Sequence, residues 1–372
     1  TLLAGIKANY PTIMQPLTNP GKEGSPENEA VLAGAVDDYG MSYYFRGNVT
    51  NNYVQFANKC WRIVRVTGDG SIKLVLHNDN VNNVTSPCAS SNNSTSAAFA
   101  RYSGTTYETK YNEQKNDNTY VGFMYGTAGS SKYAETHANI NKSTILQNLE
   151  TWYKNNLATY ESKLADTIWC NDKSTKTNQT IIYTILNTTT NKLSKGRSNY
   201  PGLGYGTNNT LYSGVQRTGA NYHSINTSGK QYGPVGTGPT LICPLDNAGG
   251  KLSKLTVSDT INGNGTLDYK VGLLTVDEVL YAGSIDWSGY QALNYSDSSI
   301  NSYLKENASD GYWTISPSYF DGDARVLNVG GSGSVGNNWV KSTLGLRPAV
   351  SLTSTTTISG GNGTSSNPFI VN

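Results

Sequence analysis

The sequence predicts an α+β domain of small antiparallel sheets, two main helices and long loops. Three observations carry that expectation: short β-prone runs clustered after residue 42 and again after residue 312, two segments of helical periodicity between them, and polar, turn-rich stretches everywhere else. Charged residues make up only 15% of the 372 positions and the net charge is +2, against about 25% charged residues in an average soluble domain. Gly (39) and Tyr (26 against 6 Phe) stand in their place, with abundant Asn, Ser and Thr. A neutral chain without a Lys/Arg block has no footprint for nucleic acid, and its aromatic content argues against disorder. No stretch is apolar enough for a membrane span. The chain starts at Thr1 without a Met-initiated leader, so any targeting segment is expected to have been removed or left out.

The elements follow in order. Residues 1–37, broken by Pro11, Pro16, Pro20 and Pro26, read as a tether, with Thr1 to Ala8 as the end of a longer helix. Ser42-Tyr-Tyr-Phe-Arg, Tyr53-Val-Gln-Phe, Trp61 to Val66 and Ser71 to Leu76 read as strands, and Gly68-Asp69-Gly70 joins the last two as a hairpin. Residues 82–142 read as surface loops. Ser143 caps a helix whose stripe is Ile145, Leu149, Trp152, Tyr153, Asn156, Leu157, Tyr160 and Leu164. Leu252 to Val257 and Thr266 to Val271 flank Asn262-Gly-Asn-Gly as a second hairpin. That turn is no calcium loop, because Thr260 and Val271 stand where carboxylates are needed. Thr275 and Glu278 form a capping box, Leu274 and Val279 a staple, and Gly283 a stop. Tyr312 to Ser316, Ala324 to Val329 and Leu346 to Leu352 close the domain as strands. Gly330 to Trp339 is expected to be exposed and weakly packed, and Thr353 to Asn372 is a polar tail. The domain proper is thus 38–352, between a tether (1–37) and a tail (353–372).

Four cysteines, Cys60, Cys88, Cys170 and Cys243, show none of the short spacings of a zinc site. In an oxidising compartment the simplest pairing is sequential, although three pairings are open to four cysteines, as are four buried thiols. His77, His137 and His223 lie far apart among polar residues and read as surface histidines, with no support for a Ser-His-Asp or Cys-His arrangement. Asp37-Asp38, Asp277-Glu278 and Asp321/Asp323 lack apolar neighbours that would raise a carboxyl for acid catalysis, and Asp277-Glu278 suits a helix N-terminus. The Gly202-Leu-Gly-Tyr-Gly and Gly330-Gly-Ser-Gly runs lack the strand-to-helix context of a phosphate cradle. The expectation is a protein that is not an enzyme and uses neither cofactor nor metal.

Five segments together resemble a known group: Ser42-Tyr-Tyr-Phe-Arg-Gly-Asn; Asn51 through Leu76; Val271-Gly-Leu-Leu-Thr-Val-Asp-Glu-Val-Leu-Tyr-Ala-Gly; Trp313-Thr-Ile-Ser-Pro-Ser; and Gly345-Leu-Arg-Pro-Ala-Val-Ser-Leu followed by Gly363-Thr-Ser-Ser-Asn-Pro-Phe-Ile-Val. In this order, over about residues 30–372, the chain resembles the surface proteins of gut Firmicutes that end in a C-type-lectin-like domain, many with a type IV pilin-like helix. Variable proteins of diversity-generating retroelements are among them. The resemblance implies a C-type-lectin-like (formylglycine-generating-enzyme-like) fold, with Ser42–Arg46 paired to Leu346–Leu352. It also implies a bacterial cell-surface location outside the cell, and attachment to a membrane or pilus through an N-terminal helix that this sequence does not contain.

For the retroelement-linked members, the segment corresponding to 313–347 is diversified at Asn-type codons, and residues 319–338 are mostly of the types such codons reach. The ligand face implied is Tyr319, Phe320, Asp321, Gly322, Asp323, Arg325, Leu327, Asn328, Ser332, Ser334, Gly336, Asn337 and Asn338, with Trp339 and Lys341 as scaffold. Tyr gives large contact area with few rotors, and Ser, Gly and Asn adapt their hydrogen bonds, as in antibody paratopes. The lectin calcium runs (Glu-Pro-Asn, Trp-Asn-Asp) are missing from the C-terminal third, so the expected partner is a protein or other cell-surface ligand bound without calcium in the site. A structural pilin or fibre subunit is the competing expectation. A formylglycine-generating type of enzyme is disfavoured, since it needs a reactive Cys pair near the C-terminus and the last cysteine is Cys243.

Overall fold

The computed structural model describes residues 1–21, 23–173, 239–243, 251–285, 300–320 and 322–372, together with the backbone of strands Thr180–Asn187, Lys192–Asn199, Ser224–Ile225 and Lys230–Tyr232. His223 and the Gly202–Gly206 run lie outside the described residues. The architecture is α+β. Its main sheet is built from β1 (Ala30–Asp37), β2 (Gly40–Gly47), β3 (Tyr53–Phe56), β4 (Lys59–Val66) and β5 (Ile72–Asn78). β4 is central and buried along its whole length. It pairs with β5 on one edge, and on the other with β3 through its first half and β2 at its end. Burial on both faces explains why its hydrophobic alternation is imperfect. The β4–β5 hairpin turns at Gly68–Gly70 as expected, closed by Thr67 N–H donating to the Ser71 carbonyl.

Helix α1 (Leu2–Asn9) is capped by the Thr1 hydroxyl, and Leu2 and Ile6 are fully buried. Residues 1–37 are therefore not a free tether: two apolar side chains one turn apart dock the helix, and β1 pairs with β2 over its whole length. The long helix α2 (Thr144–Asn156) starts at Ser143 as its cap and buries Ile145, Leu149, Trp152 and Tyr153. Helix α3 (Val276–Tyr281) carries the complete capping box of Thr275 and Glu278.

Several expectations give way to longer-range contacts. Residues 82–142 are loops but not all surface, since Ala98, Phe99, Ala100, Tyr111, Val121 and Phe123 are fully buried. His77 and His137 are likewise buried, and burial pushes both imidazoles well below their usual range. The second hairpin does not form as a ladder. β8 (Lys254–Leu255) pairs instead with β7 (Trp169–Cys170), where the Cys170–Cys243 disulfide reinforces the junction.

A second sheet of five strands follows the order β11-β10-β9-β12-β6, made of β6 (Glu108–Lys110), β9 (Tyr312–Phe320), β10 (Ala324–Val329), β11 (Val335–Trp339) and β12 (Thr343–Gly345). The stretch 330–339, expected to be exposed, thus contributes strand β11, and Val335 is fully buried. β13 (Ala349–Leu352) pairs with β5, not with Ser42–Arg46, because both edges of that segment are taken by β1 and β4. Arg347 fixes this docking by donating from Nε to the Leu76 carbonyl at 3.0 Å. The polar tail ends in β14 (Ile358–Gly360) and β15 (Phe369–Val371), and β15 runs parallel to β3 with Phe369 buried.

Glu278 joins the main sheet to α3. Its Oε1 accepts from Arg65 Nε (2.9 Å) and Lys73 Nζ (2.6 Å), and its Oε2 from the Thr275 N–H (3.0 Å). Arg65 also pairs with Asp37. Burial would raise the Glu278 carboxyl, but Lys73 and Arg65 override it and hold it at about 2 instead of 4.5. Because the folded value is the lower one, the stabilisation is complete above pH 4.5 and is lost as the pH falls towards 2. Glu278→Gln, which removes the counter-charge of buried Lys73 and leaves Arg65 with Asp37 alone, is expected to cost about 3–5 kcal/mol in urea unfolding at pH 7. It is also expected to flatten the acid limb of stability; an unchanged acid limb would refute the assignment.

The disulfides are Cys60–Cys88 and Cys170–Cys243, the sequential pairing, with Cα atoms 5.0 and 5.5 Å apart. Replacing Cys170 and Cys243 together by Ser is expected to cost about 2–5 kcal/mol, measured by denaturant unfolding.

Candidate ligand-binding face

β10 and β11 form a hairpin on the outer side of the five-stranded sheet. In its register Arg325 lies opposite Trp339, Leu327 opposite Asn337 and Val329 opposite Val335. The hairpin stands where it does because its apolar residues are core: Ala324, Val326, Leu327, Val329, Val335 and Val340 are all buried. The turn at 330–334 is pressed onto the loop before β9. A Cβ on Gly331 would stand 1.8 Å from the Ser309 carbonyl oxygen, so only glycine fits there.

The implied face residues separate into groups. Phe320 and Leu327 are in the core and Ser334 is buried; they support the hairpin from behind and offer a ligand nothing. Tyr319 lies in β9, with its side chain outside the described residues, as is Asp321. Gly322, with φ +104°, is exposed in the β9–β10 turn. Asp323, Arg325 and Asn337 come together at one end of the hairpin. Arg325 Nη1 donates to Asn337 Oδ1 at 3.4 Å, and Asp323 pairs with Lys115 at 2.9 Å. Asn338, half-buried, uses its Oδ1 to accept from the Trp339 N–H and the Ser342 hydroxyl. Asn328 and Gly336 oppose each other in mid-hairpin, and Ser332 sits in the distal turn, 2.9 Å from the Ser334 hydroxyl.

Two residues outside the implied set complete the cluster. Trp339, assigned to scaffold, is 44% exposed, and its ring lies 5.2 Å from both the Arg325 guanidinium and the Lys115 ammonium. These contacts hold a large aromatic at the surface between two cations. Lys115 arrives from the 82–142 loops through its carbonyl, which accepts from the Ala324 N–H at 2.7 Å. Nothing local in the sequence could have placed it there. Trp339 did carry a signal, as an aromatic between two Asn and a Lys in an otherwise polar run. The result is a platform of Asp323, Arg325, Asn337, Trp339 and Lys115. It offers a π-surface, donors, an amide and one carboxylate, and its partly exposed ion pair adds little stability.

Among the described residues no cluster of His, Cys, Asp and Glu is arranged to hold a metal, and no helix is long and apolar enough to cross a membrane. A polar cleft of about 240 Å³, lined by Asn78, Asn80, Asn82, Asn92, Asn93 and Arg101 among others, opens elsewhere, beside the loop that the Cys60–Cys88 bridge pins.

Residues 245–354 are similar to a family described as a domain of unknown function (DUF6273). That segment is less than half of the chain, and it holds α3, the hairpin and β13, the one strand it gives to the main sheet. No curated protein and no solved structure matches the chain. Gly331→Ala is expected to destabilise the hairpin by about 1–3 kcal/mol, through the forced shift of the Ser309 carbonyl. Hydrogen exchange at β11 amides would show it, and unchanged protection there would contradict the contact.

Proposed function

We propose that the protein is a surface-displayed ligand-binding protein of the adhesin or receptor type, whose binding face is the β10–β11 hairpin. The observation that carries this reading is the platform itself: exposed Trp339 and Asn337 with partly exposed Arg325 and Asp323, gathered on a hairpin whose apolar side chains are core. Aromatic and Arg anchors surrounded by adaptable polar groups are the chemistry of binding hot spots. Such a face can change its exposed residues without disturbing the fold, which is what a diversified segment at 313–347 requires. Support for a C-type-lectin-like fold comes from the way strands near the two chain ends meet in one sheet, β13 on β5 and β15 on β3, with two helices packed on it. Two disulfides are compatible with a location outside the cell.

Arrays of host-surface proteins and glycans would identify a ligand. Against it, Trp339→Ala and Arg325→Ala are each expected to weaken binding tenfold or more with the melting temperature nearly unchanged, as for hot-spot truncations. Undiminished binding by the Asp323→Ala, Arg325→Ala, Trp339→Ala triple variant would reject the hairpin as the face. A reverse transcriptase gene beside this one, with an adenine-rich near-copy of the 313–347 coding segment, would establish diversification.

A further inference from the structure

The polar cleft of about 240 Å³ opens where β5 ends and shares no residue with the hairpin. Its base is Asn78-Asp79-Asn80 and Ala97, all buried, and its walls are the loops at 81–84 and 91–94, with Arg101 completing the lining.

The base is fixed by bonds within the protein. Asn78 Nδ2 donates to the Pro87 and Asn92 carbonyls at 3.0 and 3.1 Å, and its Oδ1 accepts from the Asn80 N–H at 2.8 Å. Asn80 Nδ2 donates to the Asn58 and Val84 carbonyls at 2.8 and 3.0 Å, and its Oδ1 accepts from the Val84 N–H. The Cys60–Cys88 bridge pins the chain between the two walls. Among the described residues, every non-glycine with left-handed backbone lies in this wall or in a segment joined to it: Ala57 and Asn58, Asn80 and Asn83, and Asn307, whose amide donates to Asn93 Oδ1 at 3.1 Å. Such backbone persists where its surroundings over-determine it, and it gathers at ligand clamps.

The charges of the lining are engaged internally. Asp79 accepts from Lys59 Nζ at 2.8 Å, Trp152 Nε1 at 3.0 Å and the Arg101 N–H at 2.8 Å. Arg101 gives Nη1 to the Ser96 and Phe99 carbonyls and Nη2 to the Ser96 hydroxyl, with its guanidinium 4.1 Å from the Tyr107 ring centre. The exposed lining is neutral: the amides of Asn82 and Asn93, the hydroxyls of Ser91 and Ser94, and the Val81 side chain.

We propose that this cleft is a second binding site, separate from the hairpin, for one uncharged polyhydroxylated ring of pyranose size. Each hydroxyl of such a ring donates and accepts, as Ser hydroxyls and Asn amides do in return. A carboxylate, phosphate or ammonium group would be desolvated there without an unpaired counter-charge to meet it. An apolar ligand would find only Val81, Val84 and Ala97. The volume is below the roughly 300–1,000 Å³ of sites for drug-sized molecules, so a single ring enters and the rest of a longer ligand stays outside. Because the base is held before the ligand arrives, little ordering is left for binding to offset.

The probes are the methyl glycosides of glucose, galactose, mannose and N-acetylglucosamine, followed by titration calorimetry and saturation-transfer NMR on the full chain. At least one should bind saturably in the millimolar range, as suits a ring held by a few hydrogen bonds. Asn82→Ala and Ser94→Ala, both at exposed positions, should each weaken it about three- to tenfold with the melting temperature unchanged. Capture on immobilised oligosaccharides ending in the bound ring would assign the cleft to a glycan chain, and binding of the soluble glycosides alone to a small solute; either supports the site. Tighter binding of a methyl glucuronide than of the glucoside would overturn the uncharged assignment. No saturable binding by any of these probes, or binding that neither substitution weakens, would overturn the site itself.

Discussion

Everything in the larger sheet is organised around the carboxylate of Glu278. One oxygen closes the capping box of α3 and the other bridges Arg65 on β4 and Lys73 on β5, while Arg65 reaches on to Asp37 at the end of β1. A single side chain thereby sets the start of a helix and its docking on three strands. Buried ion pairs seldom add net stability over apolar packing, because desolvation offsets the Coulomb gain. What this network contributes is a unique arrangement, since any other register of α3 on the sheet would leave Lys73 and Glu278 without each other and Arg65 with Asp37 alone.

The scarcity of charge in the sequence takes on a different meaning in the folded chain. Arg46, Arg62, Arg65, Lys73, Arg347, Glu29, Asp37 and Glu278 are all buried. Much of the limited charge is thus spent inside, leaving an outer surface rich in Asn, Ser, Thr and Tyr. The Arg46–Glu29 pair illustrates the pattern: it is wholly buried and ties β2 to the residue just before β1 while donating to the carbonyls at the end of α3. The hairpin platform departs from the rule in keeping Arg325, Lys115 and Asp323 at the surface, where charge can meet a partner.

Local signals were legible wherever the residues that decide an element are near one another in sequence. The stripe from Ile145 to Tyr153, the Thr275/Glu278 box and the Gly68–Gly70 turn all formed as read. The strand Ala324–Val329 has the bounds its composition suggested. Features decided by distant partners were not legible. The helix at Leu2–Asn9 is held by the far end of the chain, where Phe369 lies under Gly5. The tail is polar in composition, yet two apolar residues, Phe369 and Val371, suffice to seat it beside β3. His77 and His137 lie among polar neighbours in sequence and are buried in the structure. At the candidate face the same division holds: strand Ala324–Val329 was readable, whereas Val335–Trp339 was read as an exposed stretch, Lys115 belongs to a loop whose destination depends on the whole sheet, and the codon rule set Trp339 aside on grounds unrelated to its exposure.

The parallel pairing of β15 with β3 has a consequence for how the chain is made. The first strands of the main sheet are synthesised well before β15, which completes their edge, and α1 rests on β15 through Gly5 and Phe369. Joining such distant segments requires closure of a very long loop, whose entropic cost grows only slowly with length but which cannot begin until β15 has been made. Until β15 arrives, β3 waits with an open edge. The hairpin segment is synthesised within this interval, so it meets an incomplete core before the finished one.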